Sequence, residues 1–364
     1  MNKLTKLLPG IGLSLIVALG AWYLAKIPVG VVNSNGSINT IGSYIGASVI
    51  ALFIGMLINH FLHDTKVLAP GLKFTSKKIL KFAIILLGSS MTISTVMKVG
   101  SISIEVMIFT LLTCFGGGYF IGKALGLNWK LSNLISAGTG ICGGSAIAAI
   151  APVIDAKDKD IAYAMSATFL FDTAMIILFP LMGKWMGLSD QVYGLWAGTA
   201  VNDTSSVVAA GYAFSEVAGD FATMVKLTRT LSIIPTVIVF ALIQVHIKRN
   251  EAKKAGLTSD AKAQISFVKL FPWFILGFVA MAIINSIGLI PVALSAGAKS
   301  ISKFLMVAAL AAIGLNTSFK DMAKSGIKPM LHGFIISLLV VIVAIVVEYF
   351  IGFDAISSVS TVMH

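Results

Sequence analysis

Apolar residues run through this chain in long unbroken blocks, without the strict alternation of a half-buried strand. Eleven blocks stand out, at residues 9–27, 39–61, 79–97, 102–122, 131–153, 161–182, 191–213, 223–246, 267–290, 301–319 and 330–351. A hydrocarbon core of about 30 Å takes about 20 apolar residues to cross as a helix. The pattern predicts an all-α polytopic membrane protein with about 11 transmembrane helices. The first block follows Lys3 and Lys6, as a secretory signal would, but no Ala-x-Ala-like site closes it and further blocks follow. It is read as a retained helix.

Two blocks contain letters that a lipid-facing helix avoids. One reads Ala137-Gly138-Thr139-Gly140-Ile141-Cys142-Gly143-Gly144-Ser145, the other Ala197-Gly198-Thr199-Ala200-Val201-Asn202-Asp203-Thr204-Ser205. Both open with Ala-Gly-Thr and set a Ser six residues after the Thr. Unwound backbone is tolerated at membrane depth only where it lines a cavity inside the protein, so these blocks predict discontinuous helices around a polar site. They are two blocks apart and run parallel unless one is re-entrant, a choice the letters leave open. A second echo pairs Gly88, followed by Lys98 and Gly100, with Gly314, followed by Lys324 and Gly326. These lie seven blocks apart, and an odd separation makes their helices antiparallel, as in an inverted repeat.

Composition agrees with a bilayer as solvent: 57% of residues are hydrophobic, 12% are charged, and the mean hydropathy is +0.95. The net charge of +12 is spread over short loops without aromatic interleaving, which argues against nucleic acid. With the N-terminus cytoplasmic, 19 Lys and Arg fall inside and 8 outside. That bias agrees with a cytoplasmic N-terminus, and eleven crossings then leave the C-terminus outside. The chain divides into a membrane region at 1–247 holding the Gly-rich segments 134–152 and 194–213, a basic cytoplasmic loop at 248–266, and a second membrane region at 267–364. Cys114 and Cys142 sit in apolar blocks, so no disulfide or metal cluster is expected. No P-loop, His-rich motif or Gly-x-Ser-x-Gly elbow occurs, so neither an enzyme nor a cofactor is expected.

The polar residues within the blocks define the candidate chemistry. A carboxylate at mid-helix costs about 2.5–3.5 kcal/mol to insert, so Asp203 is expected to face the interior as a proton carrier or a helix cap, with Asp172 as a second proton site. Lys226 and Arg229 are three apart on one helix face and suit an oxyanion, Arg229 by bidentate bonding and Lys226 as a point charge. Snorkelling to the outer interface, near the preceding Glu216 and Asp220, is the alternative for both and fits Lys226 better than the deeper Arg229. In the empty state one of the two cations is expected to pair with Asp203. Thr139, Cys142, Gly143, Gly144 and Ser145 offer backbone N–H groups and hydroxyls, Asn202, Thr204 and Ser205 offer side-chain donors, and Asn316 is either a ligand or a helix stop. Glu105 and His332 fall near predicted interfaces and are expected to be solvated; Glu348 is a further acid at membrane depth. Arg229→Ala is expected to abolish anion binding with near-normal expression.

The runs Gly138 to Ile147, Asn202 to Gly211, Lys226-Leu227-Thr228-Arg229 and Ala312 to Thr317 resemble, in order, the signature blocks of the YeiH-type conserved inner-membrane proteins, described as sulfate exporters. The resemblance implies a fold related to the cation:proton antiporter and bile-acid symporter superfamily, with inverted repeats and discontinuous helices. Relatives carry His-Glu where this chain has Asn202-Asp203, which removes a titratable imidazole. The leading expectation is a secondary-active exporter of a small sulfur oxyanion or organosulfonate, coupled to protons. One rival is an antiporter exchanging Na⁺ or another cation for H⁺; another is a non-transporting scaffold or sensor. The preference for an anion rests on one strong acid standing beside two bases. The lipid bilayer is the expected surroundings, and a homo-oligomer is left open.

Overall fold

A computed structural model describes residues 3–32, 38–41, 46–61, 67–254, 271–317 and 326–359. The part of the predicted basic loop from 255 onward, and Lys324, lie outside the described residues. Among the described residues, the apolar blocks are predominantly helical. In chain order the helices are α1 (Lys3–Ala25), α2 (Ala47–Phe61), α3 (69–87, with a π turn at Thr75–Ile79) and α4 (Ile93–Ala124). Then follow α5 (Trp129–Ala137), α6 (Gly144–Ile150), α7 (Asp158–Trp185), α8 (Asp190–Ala200), α9 (Thr204–Phe214), α10 (Glu216–Leu231) and α11 (Ile233–Lys254). The last four are α12 (Trp273–Ser286), α13 (Val292–Leu315), α14 (Ile327–Ile351) and α15 (Phe353–Ser357). One short antiparallel ribbon, β1 (Pro28–Val32) with β2 (Ile38–Thr40), interrupts the helices between α1 and α2.

Among the described residues, six helices are long and apolar enough to cross a membrane: α1, α4, α7, the rod of α10 and α11, α13 and α14. Their outward faces stay apolar, as with Leu112 and Phe120 of α4, Leu181 of α7 and Leu338 of α14. Such faces suit lipid rather than water. Helices α2 and α12 are apolar but shorter, at 15 and 14 residues. Helix α3 carries Lys73, Lys77, Lys78 and Lys81.

The two Gly-rich blocks depart from the expected eleven crossings, because both fold back on themselves. In the first hairpin, α5 and its π turn Gly138–Cys142 run in, the chain reverses at Gly143, and α6 runs out. Its two ends stand together: Lys130 Nζ donates to the Asp155 carbonyl at 2.8 Å and Asn128 Nδ2 to Asp160 Oδ1 at 3.2 Å. In the second, α8 runs in, the chain turns at 201–203, and α9 runs out. The rings of Tyr193 and Phe214 stack with centroids 3.9 Å apart, and Ser215 Oγ donates to Asp190 Oδ1 at 2.7 Å. Hydropathy could not distinguish this from a crossing, since a hairpin of two half-length helices contains as many apolar residues as one full helix.

Helix α7 joins the hairpins. Its 28 residues measure about 42 Å at 1.5 Å per residue. The first hairpin opens at its start and the second at its end, so the tips approach each other from opposite ends of the bundle. The hairpins lie among α4, α7, α10 and α14, while α1, α2, α3, α12 and α13 pack as a second group beside them. Within that group Ser302 Oγ donates to the Ala83 carbonyl (2.6 Å) and Ser295 Oγ to the Ser89 carbonyl (2.9 Å). That register makes α3 and α13 antiparallel, as the Gly88/Gly314 echo predicts. Both glycines permit backbone contact: a Cβ on Gly88 would lie 2.4 Å from the Phe278 carbonyl of α12, and one on Gly314 2.1 Å from the Leu52 carbonyl of α2. Exchanging α3 with α13 and α2 with α12 maps one contact onto the other.

Candidate functional site at the hairpin tips

The tips meet at the middle of the bundle. Gly143 has φ +64°, a conformation that only glycine adopts without strain, and a Cβ there would stand 2.9 Å from the Cβ and Oδ1 of Asp203. Asp203 caps α9: its Oδ2 accepts from the Ser205 N–H at 2.9 Å and from the Ser205 hydroxyl. A carboxylate there complements the positive end of the helix dipole. On α7, buried Asp172 accepts through Oδ1 from the Asp203 N–H at 3.1 Å.

Helix α10 supplies the cations. Gly194 and Gly198 of α8 let it close in: Cβ atoms there would stand 2.9 Å from Phe221 and 2.5 Å from Val225. Lys226 and Arg229 are both 0% exposed, which removes the snorkelling alternative. Glu216 and Asp220, which precede them on α10, are bonded to Lys303 and Lys299 of α13 at 2.6 and 2.7 Å. Arg229 binds both tips. Its Nη2 donates to the Thr139 carbonyl (2.6 Å), its Nε to the Gly140 carbonyl (2.7 Å) and its Nη1 to the Val201 carbonyl (3.1 Å). Lys226 Nζ also donates to Val201 O, at 2.8 Å. These carbonyls belong to the inward ends of α5 and α8, where the dipole is negative, so the cations neutralise two half-helix C-termini.

The expected pairing of Asp203 with a cation is not observed. Among the described residues, Lys226 and Arg229 form no ion pair with a carboxylate; they face backbone dipoles, and the carboxylates face N–H and O–H donors. Three side-chain atoms at the tips have no hydrogen-bond partner although they are buried: Thr139 Oγ1, Asn202 Nδ2 and Asn202 Oδ1. A buried amide left unsatisfied costs about 1–3 kcal/mol, a penalty that a bound polar guest would relieve.

The remaining candidates divide. Cys142 is buried beside the Gly143 turn, Gly144 and Thr204 are half-buried at the starts of α6 and α9, and Ser205 is engaged with Asp203. Ser145 is exposed and outside the buried junction. Asn316 is exposed at the end of α13, where its N–H closes the last turn onto Ala312 and the adjacent Thr317 carbonyl accepts from Asn59. No hydrogen bond among the described residues ties it to the junction. His332 departs from the solvated expectation: it is buried, with Nε2 at 2.9 Å from the Gly118 carbonyl and 3.0 Å from Ser132 Oγ. Glu105 is exposed. Missed by the letters are the Thr139, Gly140 and Val201 carbonyls, since a backbone acceptor has no signature of its own.

These features define a helical membrane protein with two opposed re-entrant hairpins closing on a buried cluster of charges. Its sequence places it further. The sequence model of the family described as "Conserved hypothetical protein 698" matches residues 9–333, and the chain belongs to that family, the YeiH-type group its signature blocks resemble. It is 59% identical over 311 residues to a UPF0324 membrane protein of Clostridium tetani, an alignment covering 85% of this chain and 90% of that one. It is 38% identical over 361 residues to a UPF0324 membrane protein of Streptococcus pneumoniae, covering 97% and 99%. A Streptococcus agalactiae relative is 37% identical over 355 residues, covering 95% and 98%.

Proposed function

We propose that this protein is a secondary-active transporter that binds a small anion where its hairpin tips meet. The observation that carries this reading is the pair of buried cations, Lys226 and Arg229, held on backbone carbonyls without a carboxylate counterion. An anion seated beside them would meet the unpartnered Asn202 Nδ2 and Thr139 Oγ1 as donors. Asp203 and Asp172 stand close enough to take up a proton when the anion arrives, which would couple the two fluxes. The oxyanion class follows from these donors, and a sulfur substrate, sulfate- or sulfite-like or an organosulfonate, follows from the family resemblance. Alternating access would come from the hairpin-bearing group moving against the group of α1–α3, α12 and α13.

The hairpins also revise the expected topology. With neither Gly-rich block crossing and the other nine blocks crossing, the C-terminus still falls outside, but Lys157 and Lys159 move to the cytoplasmic side and Lys184 moves out. Twenty of the 27 Lys and Arg then lie inside, a stronger bias than eleven crossings give.

A second reading has an observation of its own. The expectation of one acid beside two bases is corrected by Asp172, whose carboxylate bonds the Asp203 backbone at 3.1 Å. Two neighbouring carboxylates suit a cation:proton antiporter. Currents from purified protein in proteoliposomes separate the two. Sulfate, sulfite, thiosulfate or a sulfonate should evoke charge movement under the first reading; responses to Na⁺ or pH jumps alone would establish the second and refute the first.

A further inference from the structure

At the mouth of the first hairpin, away from the junction, the turn between α4 and α5, the start of α7 and the start of α14 border an open cavity of about 580 Å³. Four lysines from these elements line it: Lys130 of α5, Lys157 and Lys159 around the start of α7, and Lys328 of α14. Lys328 reaches across the opening, with Nζ 3.9 Å from the place a Cβ on Gly126 would take. Asp160 is the one carboxylate in the lining, and its Oδ1 accepts from Asn128 at 3.2 Å. None of the four lysines belongs to the three ion pairs among the described residues; Lys130 donates instead to the Asp155 carbonyl at 2.8 Å. Two aromatic rings complete the wall, with the ammonium groups of Lys130 and Lys159 at 6.0 and 5.4 Å from the centroids of Trp129 and Tyr163.

With Asp160 in the lining and Asp155 paired to Lys248 outside it, the four lysines still leave the lining net positive, an excess that a bound polyanion would offset. The volume is that of a small-molecule site, and tryptophan and tyrosine beside lysine are the side chains that settle at a bilayer interface. We propose that this cavity binds a phosphate-bearing polyanion, supplied either by an anionic lipid headgroup or by a soluble diphosphate. Because Lys130 belongs to the hairpin while Lys159 and Lys328 belong to its neighbours, an occupant would tie the hairpin's mouth to α7 and α14. The proposal is independent of what the junction transports.

The test uses the full-length protein in phosphatidylcholine nanodiscs. Thermal stability and binding are measured with inorganic pyrophosphate added, and separately with cardiolipin built into the disc. The comparison is between wild type, Lys159→Gln/Lys328→Gln, and Lys248→Gln, whose lysine pairs with Asp155 outside the cavity lining. At least a fivefold loss of binding in the double variant, with the Lys248 variant unchanged, is the expected result. A response to cardiolipin alone identifies the lipid source, and one to pyrophosphate alone identifies the soluble source; either supports the site. No binding by wild type, or equal binding by all three proteins, would overturn it. Should the double variant fail to fold, Lys157→Gln, a change at an exposed side chain, takes its place with a smaller expected loss.

Discussion

Gly143 and Asp203, the turning residues of two hairpins that enter from opposite ends of the bundle, touch so closely that a single added methyl would overlap the carboxylate. The Cβ of an alanine at 143 would fall 2.9 Å from the Asp203 Cβ and Oδ1, on backbone with φ +64°. Left-handed strain and overpacking each cost on the order of 1–3 kcal/mol. Gly143→Ala is therefore expected to lower the thermal midpoint by several degrees and to abolish transport, whereas Gly144→Ala, with nothing within 4 Å of its Cβ, should do neither. Unfolding curves of the two variants in detergent check this, and equal behaviour would contradict the contact.

The hairpins make a prediction about sidedness that a crossing helix cannot share. Lys130 and Asp155 stand together at one mouth, Asp190 and Ser215 at the other. Single cysteines introduced at 130 and 155 should be labelled by an impermeant maleimide from the same side of the membrane, and those at 190 and 215 both from the opposite side. Eleven full crossings would place 130 and 155 on different sides. Labelling of that kind would refute the re-entrant fold directly.

Arg229→Ala is expected to do more than remove a substrate contact. The side chain satisfies three carbonyls from two hairpins, and hydrogen bonds to a charged group contribute about 1.5–3 kcal/mol each. Losing all three should destabilise the junction by several kcal/mol and reduce the yield of folded protein. This reverses the expectation, drawn from the letters alone, of near-normal expression. Arg229→Lys keeps the charge but reaches fewer acceptors, and should fold better than the alanine variant while transporting poorly. Size-exclusion profiles and proteoliposome currents of both variants check the split. An alanine variant as stable as wild type would show that Arg229 does not hold the tips.

Much of this site was legible before the fold was known. Gly, Thr, Asn and Asp within apolar blocks identify both hairpin tips, and the three-residue spacing of Lys226 and Arg229 places them on one face of α10. The chain reversal was not legible, because α5 with α6, and α8 with α9, each total about one span of apolar residues. Nor were the partners of the cations, since Val201 O and Thr139 O are backbone atoms of unremarkable residues. Asn316 and Ser145 stand apart from the buried junction. Their residue types suit a polar site, but one ends a helix and the other is exposed, and only their placement reveals it.

Asparagine at the two carboxylates separates charge from hydrogen bonding. Asp172→Asn still presents an oxygen to the Asp203 N–H, and Asp203→Asn still presents one to the Ser205 N–H, asparagine being as good a helix cap as aspartate. Both variants should fold with thermal midpoints near wild type. Under the proposed mechanism Asp203→Asn retains substrate binding but its transport loses its dependence on a pH gradient. Currents measured across pH with and without the substitution test this, and an unaltered pH dependence would remove Asp203 from the coupling step.

Glu348 tests how strictly the hairpin-bearing group excludes charge. It lies on α14 with 0% exposure, and the Thr199 hydroxyl of α8 is the side-chain hydrogen-bonding group beside its carboxyl. The Thr199 hydroxyl of α8 donates to the Leu195 carbonyl at 2.8 Å, and nearby Trp196 is fixed to α14 by its Nε1 donating to the Val341 carbonyl at 2.9 Å. A side chain so enclosed tolerates an uncharged isostere far better than a fixed charge, because an unpaired buried ion costs several kcal/mol. Glu348→Gln should therefore keep its fold and lose at most about 1 kcal/mol, since the amide keeps the native shape and still presents an oxygen to the Thr199 hydroxyl. Glu348→Lys should fail to reach a folded state, and Glu348→Ala should fall between the two through the space it leaves. Denaturation midpoints of the three variants in detergent check the ranking. A lysine variant as stable as the glutamine one would mean that solvent reaches this face of α14, and that α8 does not seal it.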